Sequence, residues 1–148
     1  MLIAGSIESI SRQAVAEYPS ECCGIVTGNA SAQHVHPCRN RQDELHAKDP
    51  ETHPRTSREA YDIDRNDMAQ IFADAGAKGE HVVCFYHSHI DCGAYFSRMD
   101  KDVLTVFGEP EFPEAVHVVV SVQERKIMEI NGYLWDGEKQ DFITVLVV

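Results

Sequence analysis

Nowhere in this chain does an apolar run approach the roughly 18 residues that a membrane span requires, and the N-terminus carries no basic, apolar, small-residue signal. A cytoplasmic protein without a membrane partner is therefore expected. Positive charge is also scarce: 13 Lys and Arg stand against 24 Asp and Glu, for a net charge of -11. Phosphate binding depends on clustered Lys and Arg, and since none cluster here nucleic acid is rejected as a partner. No C-x-x-C pair occurs among the five cysteines, Cys22, Cys23, Cys38, Cys84 and Cys92. An odd number without that spacing describes reduced thiols rather than a disulfide framework. Linkers, repeats and low-complexity tracts are missing too, so the 148 residues read as a single domain, 1–148, large enough to bury a core without staples.

What is present is concentrated between His87 and Asp100, which reads HSHIDCGAYFSRMD directly after the apolar run Val82-Val83-Cys84-Phe85-Tyr86. If residues 82–89 form a strand, His87 and His89 are two apart and project from one face, so both imidazoles can converge on one ion. If Ser97 opens the next helix, Asp100 lies three residues on and both side chains point back towards the strand end. Two His and a carboxylate on Zn2+ leave a fourth position for water, which separates catalytic from structural zinc sites. Zinc brings the pKa of such a water to about 7, making a nucleophile at neutral pH. Ser-x-x-Asp is also a capping box, with Ser97 as N-cap before Met99, Val103, Leu104 and Phe107. Cys92 is an alternative third ligand, through His87-x-His89-x-x-Cys92.

A general base is missing from that stretch. Residues 19–28 read PSECCGIVTG, an acid at a proline-bounded helix end entering a glycine-flanked apolar strand. Pro19-x-Glu21-x-Cys23-Gly24 with Gly28, followed by His87-x-His89, seven residues and Ser97-x-x-Asp100, resembles the JAMM (MPN-plus) zinc metalloproteases, which include deubiquitinating and isopeptidase enzymes. The likeness extends along nearly the whole chain, through Phe112-Pro113, the run Val116 to Val122 and Tyr133-Leu134-Trp135-Asp136. It is greatest to short bacterial members that resemble enzymes trimming the C-terminal tails of ubiquitin-like sulfur-carrier proteins. The resemblance implies that His87, His89 and Asp100 hold one Zn2+, that Glu21 takes a proton from the zinc-bound water and gives it to the leaving amine, and that Ser97 donates to the oxyanion. Many members carry Pro after the second histidine, where this chain has Ile90; the difference touches no ligand or proton-transfer group.

Periodicity predicts a helix over about 6–18 on Ile7, Ile10, Ala14 and Tyr18, then a hairpin of strands at 22–28 and 33–37. The polar stretch 39–58 reads as a long loop of the kind that serves as a lid or binding element, with Arg55 or Arg58 near a substrate backbone or carboxylate. A strand near 60–63, a helix at 65–77 and three final strands at 116–123, 126–135 and 140–148 complete an α/β (α+β) fold. This is a mixed, mostly antiparallel sheet flanked by helices, consistent with the cytidine-deaminase-like MPN fold that the resemblance implies. No Pro-Cys-x-x-Cys segment is present, which counts against zinc-dependent nucleoside deaminases. The acidic balance argues against DNA-linked proteins with a similar His-x-His and Ser-x-x-Asp pattern. His34, His36, His81 and His117 read as surface or packing residues. Three functions stay open: a zinc peptidase of ubiquitin-like sulfur-carrier tails, a zinc hydrolase of small peptides or amides, and a non-catalytic MPN interaction module.

Overall fold

A computed structural model describes all 148 residues. Helix α1 (Ala4–Glu17) carries Ile10 and Ala14 on its buried stripe and ends before Pro19, whose peptide with Tyr18 is cis. Strands β1 (Cys23–Gly28) and β2 (Gln33–Cys38) pair antiparallel, as the glycine and polar residues between them favour. Helix α2 (Gln42–Lys48) and helix α3 (Arg65–Ala77) follow, the latter capped by Asp64, whose side chain accepts from the Asn66 and Asp67 N–H groups. Strand β3 (His81–Ile90) then leads to helix α4 (Arg98–Leu104), a small hairpin of β4 (Thr105–Val106) and β5 (Glu109–Pro110), and the strands β6 (Val116–Gln123), β7 (Lys126–Asp136) and β8 (Asp141–Val145).

Six strands form one sheet in the order β2-β1-β3-β6-β7-β8, antiparallel except for the β3–β6 pair. That parallel pair needs a crossover, and α4 lies in it. One face of the sheet packs on α1 through Ile10, Ala14, Val26, Tyr86, Val118 and Val120. On the other face Ile25 and Phe85 meet Met68, Ile71 and Phe72 of α3, and Val119 meets Phe96, Tyr133 and Phe142. Strand alternation assigns each β3 residue its side: Cys84 and Tyr86 point to α1, while Phe85 points to α3. His87 and His89 continue the Phe85 series and rise on the α3 face.

Three readings of the sequence need correction. The 39–58 segment is not all loop, because Gln42–Lys48 closes into a short helix with Asp43 and Glu44 in its first turn. No strand forms at 60–63; instead Asn40 bridges the two segments, donating to the Ala60 carbonyl at 3.0 Å and accepting from the Asp62 N–H at 3.1 Å. Phe107 does not belong to a helix face. The chain turns extended at Thr105 and Phe107 stands fully exposed at the tip of the β4–β5 hairpin, with φ +53 beside Gly108 at φ +81.

Candidate functional site

At the C-terminal end of β3 the imidazoles of His87 and His89 lie together, with Nε2 atoms 3.2 Å apart. Asp100 reaches them from the first turn of α4, its carboxylate 3.2 Å from His87 Nε2 and 3.4 Å from His89 Nε2. The orientation is set locally. His89 Nδ1 sits 2.9 Å from the Gly93 carbonyl, which only accepts, so Nδ1 carries a hydrogen and Nε2 is the atom left to bind a proton or a metal ion. Tyr61 stacks on His87, centroids 4.4 Å apart and planes 22° apart, and fixes the other ring.

Ser97 caps α4 and at the same time steers the acid. Its Oγ accepts from the Asp100 N–H at 3.0 Å, while its own N–H and hydroxyl donate to Asp100 Oδ2 at 2.8 and 2.6 Å. Burial opposes ionisation of Asp100, but His87 and the hydrogen bonds from His87, His89 and Ser97 outweigh it and hold the carboxyl well below the usual range. Oδ1 faces His87 Nε2, and Oδ2, while held by Ser97, also lies towards His89 Nε2.

Two imidazole lone pairs and a carboxylate directed at one small volume repel one another unless a proton or a cation lies among them. All three groups are buried, and their ligand atoms lie within 4.8 Å of one another. The donor set of two nitrogens and an oxygen suits zinc and leaves coordination positions open. His87, His89 and Asp100 thus fit a divalent ion, and Cys92, half-buried on the cleft wall, lies outside the group.

Glu21 arrives by strand pairing. Cys23 lies opposite His87 across the antiparallel β1–β3 ladder, and the Ser88 N–H bonds to the Cys22 carbonyl at 3.0 Å. Carried two residues further, the same register sets Glu21 beside His89. Its backbone is held from the other side too, by Ser57 O at 2.7 Å and Asn40 Nδ2 at 2.9 Å. Burial pushes the Glu21 carboxyl up to about 8; His89 and Arg55 pull it down and Asp100 adds to the rise.

Glu21, His89, Ser97 and Asp100 open into one cleft of about 220 Å³, whose wall also includes Arg55, Arg58, Glu59 and Tyr95. His87 lies deeper and does not line it. The 39–58 segment therefore does border the cleft, as its arginines suggested. Tyr61, Tyr95 and Asn40 were not singled out from the sequence. Single polar or aromatic residues in an irregular segment carry no periodic signal there. His117 is a packing residue, as expected, stacked on Phe85 at 5.4 Å.

The profile of the family described as prokaryotic homologs of the JAB domain matches residues 4–131. Desampylase from Haloferax volcanii is 27% identical over 146 residues, covering 96% of this chain and 89% of that protein. CysO-cysteine peptidase from Mycobacterium tuberculosis is 26% identical over 130 residues, covering 88% of this chain and 78% of that one. Tail tip assembly protein K of Escherichia phage N15 is 34% identical over 96 residues, which is 65% of this chain but only 32% of that protein, so the chain spans about a third of its length. Among solved structures, a Desulfitobacterium hafniense protein superposes with a TM-score of 0.68 at 18% identity, over 96% of this chain and 86% of that one. That likeness is one of fold.

Proposed function

The chain belongs to the prokaryotic JAB-domain family, and from that premise we propose that it is a zinc-dependent peptidase acting on the C-terminal tail of a ubiquitin-like sulfur-carrier protein. One observation supports the reading above others: Glu21, His89, Ser97 and Asp100 line a single cleft, two of them candidate ligands and two able to move or donate a proton. The names of two relatives, a desampylase and a CysO-cysteine peptidase, point to the same class of reaction.

His87, His89 and Asp100 would hold the zinc ion, which when bound would supply Lewis acidity to the scissile carbonyl and to the attacking water. Glu21 takes the proton that the water gives up. A buried carboxyl in the same cleft as His89, Ser97 and Asp100 suits this exchange, because it lies within the space where the water and the leaving amine meet. The water oxygen bonds to the carbonyl carbon, the C–N bond breaks, and the proton held by Glu21 passes to the departing amine. Ser97 donates to the oxyanion, for which its hydroxyl must rotate away from Asp100 Oδ2.

The test incubates the zinc-loaded protein with a sulfur-carrier protein bearing a C-terminal extension and weighs the products. Wild type removes the extension, and Glu21→Gln keeps its zinc while losing turnover by at least about 100-fold. Hydrolysis by Glu21→Gln at the wild-type rate would show the base to be wrong. Short peptides cut as fast as the carrier would favour a small-amide hydrolase, and a zinc-loaded protein inert towards both would favour a non-catalytic module.

A further inference from the structure

Arginines in this acidic chain are normally paired. Arg12, Arg39, Arg41 and Arg65 each hold a carboxylate at hydrogen-bonding distance, Arg98 lies on an exposed helix face 3.9 Å from Asp102, and Arg125 lies over the Tyr18 ring at 5.4 Å. Arg55 and Arg58 differ. Arg55 engages only through its carbonyl, which accepts from Gln42 Nε2 at 2.8 Å, and its guanidinium is unpaired. Arg58 reaches Asp91 no closer than 3.5 Å, and that carboxylate is already held by the Tyr18 hydroxyl at 2.9 and 3.0 Å and the Glu124 N–H at 3.1 Å.

Both side chains line the cleft that holds Glu21, His89, Ser97 and Asp100. The backbone that carries them is fixed: Ser57 bonds to Asp43 through its N–H and its hydroxyl, each at 2.7 Å, and accepts from the Glu21 N–H. In a chain with 24 acids against 13 bases, an unpaired guanidinium and one that reaches its carboxylate only at 3.5 Å stand together in the same cleft. Their arrangement suits an incoming anion. It also offsets Glu21, Glu59 and Asp100, which together would repel one.

We infer that Arg55 and Arg58 bind the free α-carboxylate of the residue that is released, so that the site trims a C-terminal residue in preference to opening a lysine isopeptide bond. The inference rests on the hydrolytic reading above and specifies its substrate. Hydrolysis of a terminal amide releases an amine whose α-carbon bears a carboxylate, two bonds from the scissile nitrogen. Whatever binds that carboxylate must share the cleft with the hydrolytic groups. A lysine ε-amine leaves on a four-carbon stem with no carboxylate near the scissile nitrogen. Guanidinium forks match a carboxylate with paired, charge-assisted hydrogen bonds.

The experiment uses a ubiquitin-like sulfur-carrier protein whose tail ends in Gly-Gly-Ala, prepared as the free acid and as the C-terminal amide. Wild type is expected to favour the acid in kcat/KM by roughly 10- to 100-fold, the scale of hydrogen bonds to a charged group. In the Arg55→Gln/Arg58→Gln double variant that ratio falls towards one, and Arg55→Lys/Arg58→Lys restores part of it. A wild-type ratio near one, or a ratio unchanged in the double variant, overturns the inference. If wild type cuts neither carrier, the hydrolytic reading fails by itself. Titrating Glu21→Gln protein with both carriers by calorimetry then decides the carboxylate contact separately: tighter binding of the acid upholds it, and equal dissociation constants overturn it.

Discussion

An ideal Cβ at Gly24 would lie 2.2 Å from the Tyr86 hydroxyl and 2.5 Å from the His36 carbonyl oxygen. The first of these neighbours has little freedom, since Tyr86 is 1% exposed and its hydroxyl donates to Gln13 Oε1 at 2.5 Å, tying the sheet to α1. The glycine after Cys23 is therefore a packing requirement one residue along the β1–β3 ladder from the Cys23–His87 pair. Gly24→Ala is expected to destabilise the fold by about 1–3 kcal/mol, the usual cost of forcing volume into a filled core. Denaturant unfolding measures it, and a variant with the wild-type midpoint would show that Tyr86 moves aside freely.

Helix α4 is short, and its one strong local device is the capping box that also orients Asp100. Ser97→Ala removes an N-cap, worth about 1 kcal/mol, and frees a candidate ligand from the hydroxyl that holds it. Orienting partners of metal ligands are typically worth 10- to 100-fold in affinity, so zinc binding measured against a competing chelator should weaken by roughly that factor. Ser97→Thr should keep most of it. Equal zinc affinity in Ser97→Ala would mean that the hydroxyl serves α4 alone. At this scale much was legible in the sequence: Pro19 ends α1, helical spacing marks α3 at 65–77, and continuous apolar runs mark β3 and β6. The rest depends on partners distant along the chain. Seven residues at 42–48 hold no apolar stripe long enough to read, Asn40 replaces a strand ladder by two side-chain bonds, and the Thr105–Gly108 turn breaks a helical spacing that Phe107 only mimics. In the site, His87, His89, Ser97 and Asp100 are close in sequence and readable together, whereas the position of Glu21 follows from strand register.

Across the whole molecule an aromatic layer runs from Phe72 on α3 through Phe85, His117, Phe96 and Phe142 to Trp135 on β7. His117 is its one titratable bridge. Burial, aided by His87, lowers the His117 pKa to about 4, against Asp100 acting the other way. The unfolded chain takes up that proton near the ordinary value of 6.5 and the native one only near 4, so this contribution is fully present above about 6.5 and is lost as pH falls towards 4. Its size is on the order of 3 kcal/mol. Stability curves of zinc-loaded wild type and His117→Phe should therefore converge or cross as pH falls from 6.5 to 4 and run parallel above that window. Parallel curves throughout would remove His117 from the acid response.

The pairing of β1 with β3 has a further consequence in the proposed hydrolase. His87 and His89 lie on one strand and Asp100 a short way along the chain, so a protein with β1 misaligned by one residue can still chelate an ion. The same slip turns Glu21 to the opposite face of the sheet. Metal content then reports only that one strand and one helix have met. Turnover in the proposed hydrolase requires in addition that β1 is in register with β3.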